Sequence, residues 1–506
     1  MKRPVRLRKG VRKLTARDVE RGRTLEAPLP PKPAGMAWRD YLIMLLHIGA
    51  ELEHSLMVEY LYAAYSLNDQ TGTARQRHKV GEWRNAILSV AKEEMGHLLT
   101  VQNLLCLLGG AVCFSRSHFP KDTPYLPFPF RLEPVSTKLL AWYVYAEAPE
   151  DWQSLLRTHS QNRRLEVEED MRRVAEIVGK QVVAGHAHTV GQVYARILEL
   201  IADPVRIPDS VFRPDTYEHQ ASWDDWGRGY APPPAKPGET KPPPTPHGER
   251  SYVLIMQMAT RTQAVAALQA ISGQGEAPHL GVKDSDEPSH FVRFLKIFDE
   301  FQREGKDWNV VYRVPRNPTT IGRQDRPAGS TSIEQKTSLR WATLFNLRYR
   351  ALLAYLSHTF RLARLVSSQE PNARGAVMHK IFGEMYNLKA IAGILVRRPL
   401  KNSRASGRAG TTRFAEDGPR AAPPFEMPYT TDVSMDEPDW WHCHQDILRS
   451  SLEIGQAILR GKDPQSPPLT GQEEAYLRTL QQLDEQSLAW VDAILGGLLR
   501  TRKPSK

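Results

Sequence analysis

The sequence predicts an all-α protein, a helical bundle followed by a second helical, bundle-like region. Three observations carry this expectation. Apolar residues recur at three- and four-residue steps through long segments in both halves of the chain, the spacing that lines one face of a helix. Proline and glycine cluster between those segments, where they break or cap helices. The composition, 41% hydrophobic and 25% charged, is that of an ordinary globular chain.

At 506 residues the chain is long enough for two or three domains with ample core. The expected division is a basic extended arm over 1–37, a first helical domain over 38–305, a connector over 306–336 and a C-terminal helical domain over 337–506. No run of 18 apolar residues suggests a membrane span. The start, Met1 to Lys9, is basic but lacks the apolar core of a signal peptide. Three cysteines (Cys106, Cys113, Cys443) without such a signal argue against a disulfide framework and for a reducing cytoplasm. The formal net charge of +11 sits largely in the N-terminal arm and in Lys401–Arg420, both read as solvated tails. No nucleic-acid-binding motif accompanies it, so no specific nucleic acid is expected as a partner.

Taken in order, a helix is expected from Trp38 to about Leu67, with Leu42, Leu45, Leu46, Leu52, Leu56 and Leu61 at helical steps. The polar stretch Asn68–Gln76 reads as a turn, and a long helix follows over Glu82–Leu108, closed by Gly109-Gly110 as a C-cap. A Pro-rich crossing leads to a helix at Lys138–Ala148, then a charged surface helix within Asp151–Gly179 and another over His188–Ile201. Ala231–Gly248 is a Pro-rich linker or surface loop. Helices follow at Thr260–Ser272 and from Ser289 to Phe301. Asn309–Arg326 reads as a short strand or only loop. Trp341–Val366, Ala376–Arg397, Trp440–Leu459 and Gln472–Arg500 complete an up-down array of helices.

Ala91-Lys92-Glu93-Glu94-Met95-Gly96-His97 lies in the second long helix. Glu94 and His97, three residues apart, project about 60° from each other and can reach one ion. A dimetal carboxylate centre needs about four carboxylates and two imidazoles converging inside a bundle. The candidates in helical context are Glu53, Glu94, His97, Glu147, Glu276 and His290. Glu59 lies about 240° around the helix from Glu53, so it is read as an exposed acid or one just outside the ligands. Glu93 is a competitor for pairing with His97, with Glu94 favoured. Glu147, in an aromatic segment beside Pro149, is either a partnered buried acid or an exposed helix-end residue. Tyr60, two turns along the helix from Glu53, is placed beside the ligands. The aromatics around it, with Trp142, Tyr143 and Tyr145, are expected to be core. His186-Ala187-His188 and His442-Cys443-His444 lack further ligands nearby and read as surface residues.

Together Glu53-x6-Tyr60, the Glu93-Glu94-Met95-Gly96-His97 segment with Asn103-Leu104-Leu105 and Gly109-Gly110, Gln274-Gly275-Glu276, and Ser289-His290-Phe291-x-Arg293-Phe294 resemble the ferritin-like family of iminophenyl-pyruvate dimer synthase domains. The resemblance covers about residues 38–300, and Phe345-Asn346-Leu347-Arg348-Tyr349 and Ala422-Pro423-Pro424-Phe425-Glu426 are similar to the C-terminal part of longer members. It implies metal ligands at Glu53, Glu94, His97, Glu276 and His290, with Glu147 the remaining acid; Tyr60, beside them, is the candidate catalytic residue. The implied cofactor is iron, in a dimetal carboxylate site, with haem the alternative. The implied reaction is oxidative coupling of imines derived from aromatic amino acids. Two positions depart from the family pattern: Ala277 stands where a second glycine is usual, and Val58-Glu59 where relatives carry Ile-Pro. The expected partner is thus a small-molecule substrate, with the second bundle a cap on the site or a homo-oligomer interface. A diiron oxidase or ferroxidase of another substrate, and a non-enzymatic helical scaffold, are the alternative readings.

Overall fold

The computed structural model describes residues 31–121, 129–149, 161–179, 190–222, 225, 253–276, 288–362, 373–402, 418–428, 436–461 and 466–501. In the N-terminal half the helices are α1 (Trp38–Ser66), α2 (Ala74–Leu107), α3 (Thr137–Ala146), α4 (Gln161–Gly179), α5 (Val190–Ala202), α6 (Arg261–Glu276) and α7 (His290–Arg303). In the C-terminal half they are α8 (Lys336–Thr359), α9 (Ala373–Leu395), α10 (Glu437–Arg460) and α11 (Gly471–Thr501). Within Asn309–Arg326 lies β1 (Pro318–Thr319), paired parallel with β2 (Thr331–Ser332). The Pro-rich linker, the basic arm up to residue 30, His186 and His188 lie outside the described residues.

The short connection between α1 and α2 turns the chain back on itself, and the two helices pack along their lengths. Helix α2 starts at Ala74, eight residues before Glu82, inside the stretch expected to be a turn. Its first two turns are polar and show no apolar period, so a local signal decides. Thr73 accepts from the Gln76 N–H while the Gln76 side chain accepts from the Thr73 N–H at 2.9 Å, a reciprocal cap of two otherwise orphaned donors. At the other end Gly109, with φ +66°, donates to Cys106 O and Gly110 to Leu105 O, the left-handed termination expected there.

Helix α1 is buried almost all round because α2 and α5 both pack on it. By length and composition it could cross a membrane, with mean hydropathy 1.2 over its most apolar 18 residues, yet 72% of that window is buried inside the fold. That window shares its helix with Glu53, His54 and Glu59, all buried. Helix α3 packs on α4 and α7, and α7 also meets α2 and α6. In the other half α8 packs on α9 and α10, and α10 on α11. There the Arg348 guanidinium is enclosed between Glu384, at 3.2 Å, and Asp484.

The halves meet closely. Asn68 N–H donates to Val310 O and Tyr312 N–H to Ser66 O, each at 2.8 Å. Tyr349 of α8 pairs with His54 of α1 at 2.5 Å. Arg116 stacks 4.2 Å over Phe119 and donates to Phe425 O. Buried apolar residues from Tyr41 to Leu495 form one contiguous cluster. A cavity of about 220 Å³ lies at this junction, lined by Phe119, Pro318, Thr319, Phe425 and Glu426 among others, and none of the acid and histidine residues described next lines it.

Candidate metal centre

Five of the six expected ligands come together. Helix α1 presents Glu53, α2 presents Glu94 and His97, the residue capping α3 is Glu147, and the first residue of α7 is His290. All five are buried. Glu53, Glu94 and His97 form one triad and Glu94, Glu147 and His290 a second, the donor atoms within each lying within 4.8 Å of one another. Glu94 belongs to both. Its Oε2 lies 2.9 Å from His97 Nδ1 and its Oε1 lies 3.1 Å from His290 Nδ1. Each oxygen of one carboxylate thus faces a different triad, the arrangement a bridging ligand requires. Glu276 is the last residue of α6, and its side chain lies outside the described residues. Its neighbour Gly275 approaches the cluster, so a Cβ there would stand 3.5 Å from Glu147 Oε2.

Outer contacts orient four of the five donors. Tyr60 donates to Glu147 Oε1 and Tyr194 to Glu53 Oε1, which leaves each acid's Oε2 toward the interior. His97 Nε2 donates to Gln274 Oε1 at 2.9 Å, and His290 Nε2 to Glu93 Oε2 at 2.8 Å. With those protons on Nε2, both Nδ1 lone pairs point at carboxylate oxygens. That is repulsive unless a cation, either a proton or a metal ion, lies between them. Glu53 Oε2 and His290 Nδ1 are buried with no hydrogen-bond partner, as expected of atoms whose partner is a metal ion. Hard carboxylates and intermediate imidazoles suit iron or manganese, and the donor set fits two such ions.

The protonation pattern follows from the same crowding. Burial, then the Glu94 charge, pushes the Glu53 carboxyl up to about 8. Burial works against a charged His97, but the Glu53 and Glu94 carboxylates beside its ring outweigh that and lift it to about 10. Burial opposes ionised Glu94 too, yet His290 and His97 hold its pKa well below the ordinary carboxylate value. Burial and the Glu94 charge raise Glu147.

The remaining expectations resolve as follows. Glu147 is the partnered buried acid rather than an exposed helix end. Glu59 is neither exposed nor turned to the centre: it is fully buried and accepts from the Arg131 N–H at 2.6 Å. Glu93 does not compete for His97, because its position on α2 turns it to His290 and to Arg293, whose Nη1 donates to Oε1 at 2.9 Å. His442 is exposed as expected, but His444 is buried against His358, 3.0 Å between ring nitrogens, because α10 turns that face onto α8. Tyr60 and Tyr143 are core residues. Tyr194 and Gln274 had drawn no attention as site residues. Gln274 adjoins the Gly275-Glu276 motif, a weak signal, while Tyr194 reaches Glu53 from 141 positions away and had none.

Gly96 explains why a glycine stands inside this motif. A Cβ there would meet Leu254 O and Val253 Cγ1, each at 2.8 Å. The extended segment from Val253 is held against α2 by Thr100, which donates to Leu254 O at 3.1 Å, and by Asn103, which donates to Met256 O at 2.9 Å. Gly96→Ala is expected to cost about 1–3 kcal/mol through overpacking, read as a lower thermal midpoint; an unchanged midpoint would refute this close packing.

A buried helical bundle that brings together two acid-and-histidine triads could hold metal ions. The chain belongs to the Ferritin-like family, whose model matches residues 46–299. It is similar to dichlorochromopyrrolate synthase of Lentzea aerocolonigenes, 24% identical over 433 residues, which is 77% of this chain and 36% of that protein. It is also similar to 2-imino-3-(indol-3-yl)propanoate dimerase of Chromobacterium violaceum, 36% identical over 158 residues, 26% of this chain and 15% of the relative. The chain therefore corresponds to only part of either relative's length. A crystallised ferritin-like protein of Caulobacter vibrioides aligns with 70% of this chain and 96% of its own at 16% identity and a TM-score of 0.39.

Proposed function

We propose that the chain is a ferritin-like metalloenzyme that oxidatively couples two imines derived from aromatic amino acids. The observation that carries the metal centre is Glu94, whose two oxygens face two separate triads. The substrate class rests on the relatives named as a chromopyrrolate-type synthase and an indolyl-imine dimerase. In this reading Glu53, Glu94, His97, Glu147 and His290 are ligands, joined by Glu276, and residues 38–305 form the metal-binding unit against which residues 337–506 pack. The donors are spaced for single ions and stand too close together for a macrocycle to lie among them, which favours the dimetal form over haem.

Coupling two imines joins two carbons and removes two electrons and two protons, which dioxygen or peroxide would take up. Iron held in the centre would supply the redox capacity for this. The chain's own part is positioning and exclusion of water. Tyr60 and Tyr194 fix Glu147 and Glu53 through one oxygen each, leaving the other for a cation. Tyr60 is thus a positioning residue, and burial and the Glu147 charge keep its phenol protonated.

The test supplies the iron-loaded protein with an aromatic amino acid and an amino-acid oxidase that makes the imine in place. The expected product has the mass of two imines less two hydrogens. Oxidation of ferrous iron without that product would overturn the coupling activity and favour a ferroxidase, and a Soret band would overturn the dimetal centre.

A further inference from the structure

Resting on the dimetal reading above, we infer that the two halves of the centre are unequal, and that the Glu93–Arg293 pair makes the His290 half fill first. Among the described side chains the inner ligands are nearly matched: each half has one acid held by a tyrosine, one histidine Nδ1 and one oxygen of Glu94. The difference lies one bond further out. His97 Nε2 donates to a neutral amide, Gln274 Oε1, at 2.9 Å. His290 Nε2 donates to an ionic acceptor, Glu93 Oε2, at 2.8 Å.

A carboxylate accepting from the far nitrogen draws that proton outward and makes the near nitrogen a stronger donor, an effect typically worth about 10–100-fold in metal affinity. A neutral amide does this more weakly. Burying Glu93 would normally be costly, because an unpaired carboxylate in the interior loses its hydration. Arg293 removes that cost. Its Nη1 bonds Oε1 at 2.9 Å and its Nη2 bonds Oε2, and Ser89 adds a further donor to Oε1. The guanidinium takes both oxygens of Glu93, and Oε2 is shared between Arg293 and His290, so the pair is neutral overall while a carboxylate oxygen still accepts from His290 Nε2. Arg293 and His290 lie three residues apart on α7, which lets one helix turn hold both partners of Glu93. Glu93 and Arg293 are positioning residues that act through His290.

Titrating the metal-free full chain with Co(II) under argon, followed by calorimetry and by the ligand-field absorption, tests this. The wild type should bind two equivalents in two resolved steps. The double variant Glu93→Gln/Arg293→Gln, which removes both charges and leaves no unpaired ion, should weaken the first step about 10–100-fold and shift only its absorption band. Gln274→Ala should weaken the second step and leave the first in place, a distinction that a general loss of stability would not produce. Two equivalents bound with one affinity in the wild type would overturn the ordering while leaving the dimetal centre intact. So would a double variant that weakens both steps alike or neither. Failure of the wild type to take up any Co(II) would overturn the centre, and the ordering with it.

Discussion

Glu94→Ala should empty both halves of the centre together, taking bound iron from about two equivalents per chain to well below one, the complement expected of a dimetal site. The reason is geometric: one carboxylate supplies an oxygen to each triad, so its loss leaves each half with a single acid and a single imidazole among the described side chains. Glu53→Ala and Glu147→Ala should act differently, each depleting its own half and leaving about one equivalent behind. Iron analysis after anaerobic reconstitution separates these outcomes. If Glu94→Ala keeps two equivalents, or loses only one, Glu94 is not the bridge. Coupling activity should fall with the iron, because the iron in the centre would supply the redox capacity for the coupling.

A second large effect concerns pH. In the metal-free protein Glu53 is raised from 4.5 to about 8 and His97 from 6.5 to about 10. Both groups therefore bind protons more tightly folded than unfolded. The stability this contributes is complete below about 4.5 for Glu53 and about 6.5 for His97, and it is lost as pH rises through the folded values. Between about pH 6.5 and about pH 10 the metal-free chain should lose thermal stability steadily. Metal ions replace those same protons, so binding releases protons and tightens with pH. The gap in thermal midpoint between loaded and metal-free protein should widen across this window. Parallel midpoints from scanning calorimetry over the window would show that the cluster does not exchange protons for metal.

Much of the architecture was legible in the sequence because it depends on local periodicity. The α1, α10 and α11 segments could be placed to within a few residues from apolar spacing and from the Pro- and Gly-rich breaks around them, whereas α8 starts and ends several residues before the expected Trp341–Val366. The early start of α2 escaped that reading, since polar turns carry no apolar period and only the Thr73–Gln76 cap marks them. The Glu94–His97 pair was legible for the same local reason: helical geometry alone puts residues three apart on one side.

What the sequence by itself determined is therefore a helical chain carrying acids and imidazoles at helical spacing. Only the tertiary structure decided which of them face one another. His290 meets Glu94 across 196 positions of chain, and Tyr194 meets Glu53 across 141. Contacts of that range depend on which helix faces pack together. The same packing turned Glu93 outward to His290 and Arg293, and sent Glu59 to the backbone of Arg131. Adjacent residues on a helix point about 100° apart, so Glu93 and Glu94 could not share a role. Which of them looked into the centre was settled by where α7 lies.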